Sequence, residues 1–248
     1  MLAHSIILLG LALFSITGFA ADEKQFTLGS SFSPPLTTVE QTGMLDQIIK
    51  TAFSRLGLSA SVVKLPSQRA LSNANRGIDD GDILRVKGIN KRYPNLVPIP
   101  EKMMDFQFVA FTHRNDIKIQ DWASLKPYQI GLITGWKILE NNTEGFRVTK
   151  VENATHLFNL LAKKRVDLVL YERLEGLALL KTLKMDNIIM LEPPLAQREM
   201  FTYLHKKHAQ LAEQLAVVIR EMKQDGSYQH LKEVAFDAFL PAAYRDAQ

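Results

Sequence analysis

This 248-residue sequence predicts an α/β fold in two lobes, each a mostly parallel sheet flanked by helices. Three observations carry the prediction. Short β-prone runs alternate with helical periodicity from residue 25 to 86, the same alternation returns from 128 to 192, and two aromatic-rich β segments lie at the junctions of the halves.

The first unit opens with "QFTLGSSF" (25 to 32), a strand ending in Gly and Ser. Met44, Leu45, Ile48, Ile49, Ala52, Phe53 and Leu56 then recur at helical spacing, closed by Gly57. "SASVVKL" is a second strand, "SQRALSNANRG" a short helix with Ser67 as N-cap and Gly77 as its stop, and residues 81 to 86 a third strand. In the second unit, "YQIGLI" (128 to 133) is a strand, "GWKILENN" a short helix and "FRVTKV" a strand. "THLFNLLAKK" is a helix capped by Thr155, followed by the buried strand "VDLVLY" (166 to 171), the helix "RLEGLALLKTL" and the strand "NIIMLE". "FQFVAF" (106 to 111) and "MFTYL" (200 to 204) are the two crossings. A final helix bearing Leu211, Leu215, Val218, Ile219 and Met222 has no sheet of its own and is expected to pack back on the first unit.

Residues 1 to 20 combine an apolar run from Ile6 to Phe19 with small residues at Gly18 and Ala20, the pattern of a cleaved secretory signal. The run is too short and too promptly followed by charge to read as a membrane span. With no cysteine, an exported chain must rely on its core and not on disulfides, and no thiol can carry a lipid. Thirty Lys and Arg against 26 Asp and Glu give a formal charge of +4, spread along the chain. The one basic run, Lys163, Lys164 and Arg165, ends a predicted helix, where cations suit the dipole, so nucleic acid is not an expected partner.

The stretches "LPSQRALSNANRGIDDGDILRV" (65 to 86), "YPNLVPIPEKMMDFQFVAFTHR" (93 to 114) and "WASLKPYQIGLITG" (122 to 135) resemble family-3 periplasmic solute-binding proteins, the amino-acid-binding class serving ABC importers. The resemblance spans essentially all of the chain after residue 20. It implies the type II periplasmic-binding-protein fold with two crossover strands at a hinge: residues 21–110 with 201–248 as lobe 1, and 111–200 as lobe 2.

In such a fold ligands meet the carboxyl ends of the strands, where loops enter helix N-termini. Phe32 and Pro34, in the first such loop with Pro35, are expected to face the ligand. An amino-acid ligand needs a fixed cation and a fixed anion. Arg85, at the end of the third strand, is the first candidate for the cation. Arg92, which the resemblance places near the family's carboxylate clamp, is the second, and Arg69, in the first turn of its helix, the third. The resemblance implies Glu172 for the ligand ammonium, with Tyr171 offering a ring or hydroxyl. Gly135 and Trp136, with Lys137, occupy the matching turn of the second unit. Asp167 and Trp122 read as structural. His205 and His208 lack a third ligand nearby and read as a surface pair.

These readings converge on a non-enzymatic, monomeric periplasmic protein that needs no cofactor. It closes on a small polar solute, an amino acid or related zwitterion, and presents it to a membrane ABC permease. The alternatives are a periplasmic enzyme on the same scaffold, similar to cyclohexadienyl or arogenate dehydratases, and a ligand-sensing partner of a membrane sensor.

Overall fold

The computed structural model describes residues 25–244; the expected signal at 1–20 lies outside the described residues. Two βαβαβ units are present. The first runs β1 (Gln25–Ser30), α1 (Met44–Ser54), β2 (Ser59–Lys64), α2 (Ser67–Arg76) and β3 (Gly81–Val86). A short β4 (Leu96–Pro98) and the long β5 (Met104–Thr112) follow. The second unit runs β6 (Ile130–Ile133), α3 (Lys137–Asn142), β7 (Val148–Val151), α4 (Ala154–Ala162), β8 (Leu168–Glu172) and α5 (Arg173–Leu183). The chain ends with β9 (Ile189–His205), α6 (Ala209–Gln224) and α7 (Ser227–Phe239).

The strands form one sheet in the order β2-β1-β3-β9-β5-β8-β6-β7, with β4 pairing β9. β1 is parallel to β2 and β3, and β6 is parallel to β7 and β8, so the two units share one plan. Antiparallel β5 and β9 join them. Their register breaks opposite Val109: Phe108 pairs with Ala196, but Ala110 pairs with Leu191. The residues looped out include Pro193 and Pro194, which have no N–H to give a ladder.

The buried face of α1, with Ile48, Ile49, Ala52 and Phe53, packs against β2 and receives α6 and α7. The expected return of the final helix to the first unit is therefore seen, but it takes two helices where periodicity suggested one. Other expectations shift in detail. "NIIMLE" and "MFTYL" belong to a single 17-residue strand. Asn153, not Thr155, caps α4 by accepting the His156 N–H at 2.8 Å. Ser67 is the first residue of α2, after Pro66, and Gly77 closes that helix at φ 72°. His208 Nε2 lies 2.6 Å from Asp80 Oδ1, and the His205 ring sits against Gly77. Asp167 is a brace, accepting from Gln129 N–H at 2.9 Å and from Arg114 at 3.1 Å.

The loop after β1 is clamped onto the start of α1. Asp46 accepts from Thr38 N–H and Gly43 N–H, at 2.9 and 3.0 Å. A Cβ on Gly43 would come within 2.6 Å of the Leu36 carbonyl oxygen and 2.7 Å of Thr37 Cα, both backbone. Gly43→Ala is expected to cost about 1–3 kcal/mol in urea denaturation, since only a backbone shift can make room; an unchanged midpoint would show that the clamp is slack.

A cleft at the carboxyl ends of six strands

A cavity of about 860 Å³ lies between the two units. Its walls come from the carboxyl ends of all six parallel strands: Phe32 and Ser33 after β1, Lys64 at the end of β2 with Ser67 beyond it, Arg85 in β3, Gly135 and Trp136 after β6, Asn153 after β7, and Tyr171 in β8. β5 and β9 close it with Phe106, Phe108, Arg198 and Met200.

Five rings run unbroken from one unit to the other. Phe32 meets Phe106 at 5.6 Å, Phe106 meets Phe108 at 5.4 Å, and Phe108 meets Trp136 nearly perpendicular at 5.9 Å. Trp136 stacks on Tyr171 at 4.8 Å and 16°. Phe106 and Phe108 share a face because strand side chains alternate with period two. Gly135 holds φ at +88°, a conformation that favours glycine and that turns the chain sharply before Trp136.

The loop after β1 is held by Lys64, whose ammonium donates to the Ser31 carbonyl at 3.1 Å, to the Phe32 carbonyl and to Ser33 Oγ at 3.2 Å. Across the cleft, Glu175 in the first turn of α5 accepts the Ser33 N–H at 2.6 Å. Only 6% of Glu175 is exposed, and burial pushes its carboxyl up to about 7, against the opposing pull of the Ser33 N–H and of Lys64.

Arg85 lines the cavity from a strained segment. A register shift between Asp82 and Arg85, with Leu84 at φ 74°, reverses the strand's alternation and brings these two side chains to the same side. The Arg85 guanidinium lies 2.7 Å from Asp82 and donates to Ser67 Oγ at 2.8 Å and the Ser67 carbonyl at 2.9 Å. Burial raises Asp82 to about 6 in spite of this cation.

Of the residues singled out from sequence, Phe32, Arg85, Gly135, Trp136 and Tyr171 meet in this cavity. Pro34 lies in its loop but not in the wall. Arg69 is exposed on α2, and the exposed Arg92 has its guanidinium 5.9 Å from the Tyr93 ring. Glu172 points away: it is 1% exposed, caps α5 by accepting the Glu175 N–H at 2.8 Å, and borders a smaller cavity of about 290 Å³ behind β5. Adjacent strand residues face opposite sides, so Tyr171 in the cleft puts Glu172 behind the sheet. Lys137 pairs with Glu140 at 2.5 Å.

Glu175, Lys64, Ser33 and the Phe106–Phe108 pair were not singled out. Two acids three apart at a helix start were the available signal, since only one can cap while the other is left to turn elsewhere.

No family model matches the chain. A Shewanella oneidensis chain described as "Uncharacterized protein" is 28% identical over 199 residues, covering 76% of this chain and 74% of that one. Among solved structures, a variant of ArgBP from T. maritima superposes with a TM-score of 0.70 at 18% identity, over 86% of this chain and 95% of its own. The GluR0 ligand-binding core in complex with L-glutamate gives 0.75 at 13%, over 89% and 100%. A histidine kinase sensor domain with similarity to periplasmic binding proteins gives 0.72 at 14%, over 88% and 99%. The fold is thus the type II periplasmic-binding-protein fold.

Because folded Glu175 keeps a proton that an unfolded glutamate releases near 4.5, it makes stability fall as pH rises from about 4.5 through about 7. Glu175→Gln removes that slope. Its stability relative to the parent is expected to improve between pH 4 and pH 8 by on the order of 3 kcal/mol, read from denaturation at each pH; a difference independent of pH would mean the carboxylate is already charged.

Proposed function

We propose that this chain is a solute-binding protein whose two lobes, 21–110 with 201–248 and 111–200, hinge on β5 and β9 and close on a small polar solute of amino-acid type. It is exported by its N-terminal segment, acts as a monomer in the periplasm and delivers its solute to an ABC importer. The observation that carries this reading is the meeting of loops from both units on one cavity whose floor is the pair of crossing strands. A solute held by Trp136 and Tyr171 on one side and by Phe32, Lys64 and Arg85 on the other gains contacts only when the units approach. Its binding energy therefore favours the closed form.

Arginine and L-glutamate, named for structures of this fold, support an amino acid as the ligand class. Flat rings suit an apolar or planar body, and Arg85, already braced by Asp82 and Ser67, can offer its cation at little further ordering cost. Among the described residues, no helix is long and apolar enough to cross a membrane. The histidine kinase domain supports a second use of the same cleft, as a ligand-sensing unit acting on a membrane partner.

The enzyme alternative rests on a specific feature, a carboxyl near pKa 7 in the cleft. It shifts the candidate general acid from Glu172 to Glu175. Incubation with prephenate, followed by the absorbance of an aromatic product, separates the two readings: no product supports binding, and turnover lost in Glu175→Gln supports the enzyme.

A thermal-shift panel of amino acids, polyamines and organic acids tests the main reading. A ligand present at a hundred times its dissociation constant adds about 2.7 kcal/mol. With Trp122→Phe leaving Trp136 as the sole tryptophan, the same ligand is expected to change the emission, and Trp136→Ala to weaken binding by about tenfold or more. A ligand that stabilises the protein without touching Trp136 emission would place its site elsewhere.

A further inference from the structure

Residues 67 to 95 together with 205 to 208 carry eight Lys and Arg against three Asp, a net +5 that exceeds the +4 of the whole chain and leaves the remainder one unit negative. The fold joins most of these segments into one face, with Arg85 turned to the cleft beside Asp82 and Lys87 paired with Glu199 at 3.5 Å. Asn95 donates its N–H to Asn75 Oδ1 at 3.2 Å and its amide to the Asn75 carbonyl at 3.0 Å. The Lys206 N–H reaches the Asn95 carbonyl at 2.7 Å, Lys207 Nζ reaches the Gly77 carbonyl at 3.0 Å, and Gln68 meets Tyr93 at 3.3 Å.

The three carboxylates are already engaged. Asp79 accepts from Asn73, Asp80 is shared by His208 and Lys207, and Asp82 is held by Arg85. Arg69, Arg76, Lys91, Arg92 and Lys206 are exposed and have no ion-pair partner among the described residues. Arg69 and Arg76 are seven apart, two turns along one stripe of α2. Beside Arg76, in the turn after the helix, Ile78 is 60% exposed.

We propose that this face docks on a bilayer containing anionic phospholipid, with Ile78 at the boundary between headgroups and acyl chains. A shaped protein or ligand carboxylate is met by a cation in a fixed fork, as Arg85 is fixed by Asp82 and Ser67. The five cations here are not braced by carboxylates, and long side chains free to move suit a fluid layer of phosphates, to which each adds an increment of attraction. The asymmetry of charge orients the molecule, because the rest of the chain is close to neutral.

Vesicle flotation with the full chain tests this. Binding to phosphatidylglycerol vesicles but not to phosphatidylcholine is expected at about 0.05 M salt, lost near 0.5 M as screening shortens the Debye length. Arg76→Glu with Lys206→Glu should lower binding by about tenfold or more, whereas Lys118→Glu with Arg165→Glu, the same change of charge elsewhere on the surface, should leave it nearly intact. Melting curves confirm that the variants fold, and the salt dependence of the parent stands without them. Absence of binding to phosphatidylglycerol, or equal loss in both double variants, overturns the proposal. Capture by poly-glutamate without capture by vesicles also overturns it, assigning the face to an acidic protein.

Discussion

The antiparallel pairing of β5 with β9 is the constraint from which the rest of the architecture follows. The two parallel units lie on opposite sides of this pair in a continuous sheet, so the pair sets how the carboxyl ends of β1, β2 and β3 face those of β6, β7 and β8. The pairing is strong on either side of Val109 and broken at it, where Pro193 and Pro194 remove two donors. The interrupted rung is where the ladder joining the two units offers the fewest bonds against a change in their mutual angle.

That geometry explains the chemistry of the cleft. Phe106 and Phe108 project from the crossing strand β5 itself, so the aromatic floor bridges Phe32 of one unit to Trp136 and Tyr171 of the other. The Glu175 carboxyl reaches across the same gap to the Ser33 N–H, in surroundings dry enough to hold its proton near neutrality. The contact is a direct polar link between the units, and a solute carboxylate that sought the same N–H would compete with it.

Much of the fold was legible from local rules, and the limits have physical causes. Helical periodicity and Gly77 located α1 and α2, which bury one face each, and continuous β-prone runs located strands such as β6 and β8, which are buried along their whole length. β9 reads as two strands because the stretch between them, 193 to 199, opens with two prolines and lacks a strand pattern, and only pairing with β5 on either side makes it one element. α7 escaped notice because its buried residues, Tyr228, Ala235 and Phe236, are few and far apart. In the site, turns were legible and charges were not: Gly135 and Trp136 follow from a strand-to-helix turn, but the choice between Glu172 and Glu175 depends on which acid caps α5. The bulge at Leu84, which turns Arg85 toward Asp82, leaves no mark that alternation could detect.

Whether the pair of crossing strands acts as a hinge is answered most directly by a distance across the mouth of the cleft. Asn90 and Asn141 are exposed, adjoin elements of opposite walls, and can be changed to cysteine in a chain that has none. With spin labels there, a solute that raises the melting temperature should shift the pulsed dipolar distance distribution to shorter values and narrow it. A distribution unmoved by a saturating, stabilising solute would show two units fixed in place, and closure would not be how this protein holds its ligand.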